Sequence, residues 1–122
     1  MHIPMVINSY KDLLVWQKAI ELVDAVYELT EKFPRSELYG LSAQMRSCVV
    51  SIPSNIAEGR KYSSREEFRR CVRIAFGSGS ELETQVIIVK RLSFGRDLNY
   101  KKVDALLDEV MKMLNRLIRS LS

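Results

Sequence analysis

Histidine is nearly absent from this 122-residue sequence, in which His2 is the only one. A catalytic triad built on histidine and a Glu-x-x-His metal motif on a helix are therefore not expected. Cysteine is scarce too, and Cys48 and Cys71 do not have the spacing of zinc ligands. The glycine patterns of nucleotide-binding loops are also missing. We expect a protein that is not an enzyme, with no catalytic residues, no metal and no cofactor.

Long apolar runs are missing as well. The longest are four residues, such as Val86–Val89, whereas a membrane-spanning helix needs about 20. The first residues show neither the charged region nor the apolar core of a secretory signal. We therefore expect a cytoplasmic protein with no membrane partner, in which both cysteines are reduced core residues.

The composition is that of an ordinary soluble domain. Hydrophobic residues make up 47% of the chain and charged residues 28%, which is enough apolar material for one core. Nineteen Lys and Arg residues against fifteen Asp and Glu give a net charge of +4. This modest surplus permits a polyanionic partner without requiring one.

Apolar residues recur every three or four positions in four segments, and no segment alternates in the manner of a strand. The predicted helices span about residues 9–31, 36–61, 64–93 and 99–121, with short turns between them. Ser63 or Ser64 is expected to cap the third helix. The pattern predicts an all-α fold in a single domain, residues 1–122: an antiparallel up-down-up-down four-helix bundle.

Pro53 lies inside the second predicted helix, in the stretch "VVSIPSNIAEGR". A proline within a helix lacks its N–H and clashes with the preceding turn. The apolar period nevertheless continues in phase from Met45 through Ile52, which favours one long helix kinked near Pro53. The alternative is two helices, with Ser51 as the cap of the second.

The first predicted helix has more apolar residues than one buried face needs. Twelve of the seventeen positions between Leu13 and Leu29 are apolar, whereas a bundle helix needs about three in seven. The main stripe is assigned to Leu13, Trp16, Ile20, Val23, Tyr27 and Thr30, with Leu14, Val15, Leu22 and Val26 beside or behind it. The excess predicts a second buried face in a homo-oligomer, and a wide stripe in a monomer is the alternative.

Several polar residues fall on or near the predicted stripes. They are interpreted as a structural polar core rather than as a catalytic site: Arg46, Asn55, Glu81, Glu83 and Gln85. Asn55 is expected to fix the register of the bundle. Arg46 is expected to pair with a carboxylate of the third helix. Glu81 and Glu83 are two residues apart and so do not share a helix face. By themselves they therefore make a poor metal-binding or acid–base pair.

The segment "RKYSSREEFRRCVR" contains six basic and two acidic residues. Its candidate nucleic-acid-binding residues are Arg60, Lys61, Tyr62, Arg65, Arg69 and Arg73. Guanidinium groups suit phosphate oxygens, and an aromatic ring beside them suits unpaired bases. The alternative is a solvated helix face on which Glu66 and Glu67 pair with the arginines. A second basic group, expected at the opposite end, comprises Lys90, Arg91, Arg96, Lys101 and Lys102.

Several stretches together resemble a known family: "LLVWQKAIELV", "ELYGLSAQMRS", "VVSIPSNIAEGR", "SSREEFRRCVRIAFGSGSELETQ" and "MLNRLI". They are similar to bacterial four-helix-bundle proteins encoded in the intervening sequences of 23S ribosomal RNA genes. The resemblance implies a small cytoplasmic protein that assembles into a homopentamer, and it carries over no catalytic residues. It extends more distantly to the accessory variability protein of diversity-generating retroelements, which binds nucleic acid and a reverse transcriptase.

Two functions follow from these features. The first is a non-enzymatic, homo-oligomeric protein that binds RNA or DNA, with RNA favoured by the link to ribosomal RNA, mainly through phosphate electrostatics. The second is a protein–protein adaptor for a polymerase or ribosomal component. A hydrolase or nuclease is disfavoured because the carboxylates form no evident ligand set.

Overall fold

The computed structural model describes residues 9–62 and 64–122. Its four long helices are α1 (Leu14–Glu31), α2 (Leu41–Lys61), α3 (Arg65–Arg91) and α4 (Lys101–Ser120). Short 3-10 turns span Tyr10–Asp12 and Arg35–Glu37, and no strand occurs among the described residues. The predicted four-helix bundle is thus confirmed, while the up-down order and a kink at Pro53 stay predictions. His2 and Ser63 lie outside the described residues.

Short polar side chains accept hydrogen bonds from backbone N–H groups at the start of several of these elements. The Ser64 hydroxyl accepts a hydrogen bond from the Glu67 backbone N–H at 3.2 Å and so caps α3. The Asn99 side-chain oxygen accepts from the Lys101 N–H at 3.0 Å at the start of α4. Ser9 caps only the short turn before α1, through a 3.1 Å bond from the Lys11 N–H. Each bond satisfies a backbone donor that the helix itself leaves unpaired.

Helix α2 continues through Pro53 as one element from Leu41 to Lys61, so the alternative of two separate helices is wrong. Around the proline, side chains bond to carbonyls of their own helix: Ser51 to Cys48, Ser54 to Val50 and Asn55 to Ser51, each at 2.8 Å. Asn55 therefore makes its hydrogen bond within α2. This bond uses one of the two amide N–H groups, and the role of Asn55 in fixing the register of the bundle stays a prediction.

The core lies where the four helices face one another. Its largest fully buried side chains include Leu22 of α1, Met45, Ile52 and Ile56 of α2, Leu82 of α3 and Leu114 of α4. Aliphatic side chains from all four helices thus contribute to one contiguous cluster. Their removal from water is the main favourable term in folding.

The predicted assignment of the two apolar faces of α1 is wrong. Leu22 and Val26, expected beside the stripe, are fully buried in the core. Ile20 and Tyr27, expected on the main stripe, are instead 36% and 38% exposed. Because both faces of α1 are apolar, the sequence alone does not show which one is buried. The packing of α1 against α2 and α4 decides it.

Helices α2 and α3 run antiparallel at close range. The Cys48 thiol donates to the Ser78 carbonyl at 3.1 Å, and farther along α2 Gly59 lies against Cys71. A Cβ atom built on Gly59 would stand 2.6 Å from the Cys71 Cβ and 3.1 Å from the Phe68 ring. A side chain at position 59 would therefore collide with α3, and only glycine fits there without a shift of the helices.

Both cysteines are buried and free. Burial, with the nearby Glu81 carboxylate, raises the pKa of the Cys48 thiol from 9.0 to about 11, and burial also raises the pKa of Cys71. The pKa of Cys48 is higher in the native protein than in the unfolded chain. The protonated thiol therefore stabilises the fold fully below pH 9, and this stabilisation is lost as the pH rises towards 11.

At about pH 8 we therefore expect both thiols to react with a disulfide reagent at least about tenfold more slowly in the native protein than in denaturant, since the thiolate is the reactive form. Absorbance of the released thiol measures both rates. Equal rates with and without denaturant would show that the two side chains are accessible, contrary to this structure.

Candidate nucleic-acid interface

The first turns of α3 lie beside the last turn of α4. The Arg65 Nη2 donates to the Ser120 carbonyl at 2.6 Å, and the Arg69 Nε donates to the Ile118 carbonyl at 3.2 Å. The end of α2 reaches the same place, because Tyr62 precedes Ser64 with one residue between them. Three helix termini thus meet at one end of the bundle.

We call this region the basic end. It comprises Arg60, Lys61, Tyr62, Arg65, Arg69, Arg70, Arg73, Arg116 and Arg119, with the acidic residues Glu58, Glu66 and Glu67. Eight basic against three acidic side chains leave a surplus of five, larger than the net +4 of the whole chain. Such a concentrated surplus attracts polyanions and accelerates their association.

Arg65 and Arg69 also have a structural role that the sequence prediction missed. Arg65 satisfies the Ser120 carbonyl, which α4 leaves without an intrahelical partner, and Arg69 adds a second donor to the Ile118 carbonyl, which also accepts from the Leu121 N–H. A cation at this position also opposes the negative end of the helix dipole. These bonds hold two guanidinium groups in fixed positions, and each retains further N–H donors for a phosphate.

Lys61, Tyr62 and Arg73 are exposed and reach solvent. Lys61 and Arg73 have no hydrogen bond or ion pair to any residue that the structure describes. Arg60 is half-buried and has contacts of its own. Lys61 and Arg73 are therefore the two cations of the predicted set that are most available to a ligand.

A shallow depression of about 460 Å³ lies on the surface of α3, lined by Glu66, Glu67, Arg69, Arg70, Arg73 and Ile74. The expected pairing of glutamate with arginine occurs here only once: Arg70 forms two bonds with Glu67, at 2.6 and 3.2 Å. The hydrogen bond from Arg70 lowers the pKa of Glu67. Arg69 and Arg73 therefore keep their charge unneutralised in this depression.

Arg116 and Arg119 belong to the basic end but were not among the predicted residues. They lie on the last two turns of α4, which the bonds to Ser120 and Ile118 place beside α3. The sequence signal for them was the predicted up-down order of the helices, which places the end of the fourth helix next to the start of the third.

The predicted polar core forms only in part. Gln85 is buried and Asn55 half-buried, but Glu81 and Glu83 are exposed, so their assignment to the core is wrong. The predicted Arg46–carboxylate pair is wrong too. Arg46 donates its Nε to the Thr30 hydroxyl at 2.8 Å and stacks over the Tyr27 ring, 4.6 Å from its centroid.

Two of the five cations in the second basic group lie beside acidic residues. Lys90 lies 2.7 Å from the Asp104 carboxylate, and Lys102 lies 4.0 Å from Glu28. Arg91 and Arg96 are exposed. This group therefore offers less unpaired charge than the basic end.

Two further absences hold for residues 9–62 and 64–122. In these ranges no group of three or more His, Cys, Asp or Glu residues is placed to hold a metal ion. None of the helices there is long and apolar enough to cross a membrane.

Comparison with protein-family models gives a match over residues 11–116, and the matching model is that of the 23S rRNA-intervening sequence protein family. The chain belongs to this family. The match includes every cation of the basic end except Arg119. No curated protein matches the chain. The name of the 23S rRNA-intervening sequence protein family links its members to an insertion in ribosomal RNA, and it names no reaction.

Proposed function

We propose that the chain is a non-enzymatic, cytoplasmic nucleic-acid-binding protein that acts as a homo-oligomer, with structured RNA as its ligand. The observation that carries the proposal is the basic end, where eight cations surround three helix termini. Membership in the 23S rRNA-intervening sequence protein family supports RNA as the ligand. The exposed apolar side chains of α1, Ile20 and Tyr27, support self-association.

Binding would proceed through phosphate contacts rather than base readout. Arg65 and Arg69 are held in place by their bonds to α4, so their remaining donors need little ordering when a phosphate arrives. Lys61 and Arg73 add exposed charge, and Tyr62 offers a stacking surface. In an oligomer each basic end is repeated, so weak contacts combine by raising the effective concentration of the next site.

Replacing Lys61 and Arg73 together by glutamine should weaken binding to an RNA hairpin by about tenfold or more at low salt, because two phosphate contacts per subunit are lost. Both side chains are exposed, so the fold should be unaffected. Fluorescence anisotropy with a labelled hairpin measures the affinity.

The matched control replaces Arg91 and Arg96 by glutamine. Both side chains are also exposed, and their replacement removes the same charge at the other end of α3. Equal losses in the two double variants would show that net charge alone governs binding and that the basic end is not the site. A partner protein retained through nuclease treatment and high salt, with no RNA bound, would instead favour an adaptor function.

A further inference from the structure

Arg46 lines a pocket together with a second arginine, Arg35. The pocket has a volume of about 370 Å³ between the end of α1 and the start of α2. Its lining includes Thr30, Phe33, Arg35, Leu38, Ser42 and Arg46, and one acidic residue, Glu31. We call it the Arg46 pocket.

The guanidinium of Arg46 is fixed before any ligand arrives. Its Nε donates to the Thr30 hydroxyl, and its Cζ lies 4.6 Å from the centroid of the Tyr27 ring. In the part of the chain that the structure describes, it has no other hydrogen bond and no ion pair. Its terminal nitrogens therefore present donors in the fork geometry that suits a carboxylate.

Exposed apolar side chains lie on α1 and α2 within about two helical turns of this cation or of its partner Tyr27. Ile20 and Tyr27 lie seven residues apart on one face of α1, and Val50 follows Arg46 by one turn of α2. Each of the three is more than one-third exposed. An arginine held in place beside exposed apolar side chains is typical of the centre of a protein–protein interface rather than of a solvated helix face.

A complementary arrangement occurs on α3. Glu81 is exposed and lies midway between Ile74 and Ile88, seven residues from each, and these are 43% and 44% exposed. Residues seven apart share one helix face. Within the described residues no cation lies at ion-pair distance from Glu81.

Gln85, one turn after Glu81 on α3, has a side-chain oxygen that receives no hydrogen bond from the described residues. Gln85 is 5% exposed, and its Nε2 lies 3.4 Å from a carboxylate oxygen of Glu81. The Gln85 Oε1 is buried with no hydrogen-bond partner among the described residues. An unmatched buried acceptor costs free energy unless a donor reaches it, and a guanidinium bound to Glu81 would bring donors to this place.

These two surfaces do not meet within one chain. Arg46 faces α1, whereas Cys48, two residues later, bonds to Ser78 of α3, near Glu81. The cation and the carboxylate, neither of which has an ion-pair partner among the described residues, therefore lie on opposite sides of α2.

We propose that the Arg46 pocket of one chain receives Glu81 of a second copy, with Ile74 and Ile88 of that copy packing on Ile20, Tyr27 and Val50. The contact joins two different faces, so it is heterologous, and repetition around a rotation axis closes a ring. This inference rests on the self-association in the proposed function and names the residues that produce it.

The test is a charge exchange read by native mass spectrometry and analytical ultracentrifugation. Arg46→Glu and Glu81→Arg should each shift the wild-type oligomer to the 14.1 kDa monomer. The double variant Arg46→Glu/Glu81→Arg should restore the oligomer, because the pair is then reversed. Glu83→Arg, two residues away on another face of α3, should leave the mass unchanged.

Glu81 is exposed, so its single variant remains informative even if an Arg46 variant folds poorly. An unchanged mass in Glu81→Arg, or a double variant that stays monomeric, would overturn the proposed contact. A monomeric wild type would also overturn it. The Arg46 pocket would then be open to a carboxylate of a different molecule. Hairpin RNA binding, measured in parallel at the basic end, shows separately whether the proposed function holds.

Discussion

Replacing Gly59 by valine should destabilise the fold by about 3 kcal/mol, the upper range for forcing extra carbon atoms into a packed contact. Gly59 ends the stretch "SIPSNIAEG" in α2, where its backbone lies against α3. The new Cβ would stand 2.6 Å from the Cys71 Cβ. That atom is fixed to the α3 backbone, so relief requires the two helices to move apart rather than a side chain to rotate.

Urea unfolding followed by circular dichroism measures this loss as a lower midpoint at an unchanged slope. The control is Gly77→Ala in α3, where an added Cβ meets nothing within 4 Å. Alanine there should raise stability by up to about 1 kcal/mol through its better helix propensity. If Gly59→Val were as stable as the wild type, the close approach of α2 and α3 at this position would be wrong.

Truncating Leu22 to alanine should cost about 2–5 kcal/mol, because the side chain is fully buried and leaves a cavity. The matched change is Ile20→Ala, two residues earlier on the same helix, at a side chain that is 36% exposed. In the separated chain this variant should cost less than about 1 kcal/mol, since it removes little buried area.

The comparison must be made at protein concentrations low enough to dissociate any oligomer, since subunit contact adds apparent stability. At high concentration Ile20→Ala should weaken self-association while leaving the fold intact. Equal destabilisation of the two variants at low concentration would mean that Ile20 belongs to the core, as the sequence alone suggested.

The sequence was sufficient to predict the helices because their apolar residues recur with the helical period. The antiparallel order predicted for the second and third helices also brings Gln44 close to Glu81, and both line one groove between α2 and α3. The ranking of the two faces of α1 was wrong because both are apolar. Only the packing of whole helices decides that Leu22 is buried and Ile20 is not.

The candidate site was predictable in part for a similar reason. The cluster from Arg60 to Arg73 is contiguous in sequence, so its charge is visible without a structure. The bonds of Arg65 and Arg69 to α4, and the presence of Arg119 beside them, depend on where a distant helix ends. The Arg46–carboxylate pair was predicted within one chain, but Thr30 and Tyr27 hold Arg46 on the opposite side of α2 from Glu81.

The salt dependence of RNA binding tests the central claim most directly. The affinity of the wild-type protein for a hairpin RNA should be measured by anisotropy between about 50 and 200 mM salt. If the basic end neutralises phosphates, the logarithm of the association constant should fall linearly with the logarithm of salt concentration, and the Lys61→Gln/Arg73→Gln variant should have a shallower slope. No binding at low salt, or a slope that the variant leaves unchanged, would contradict the claim.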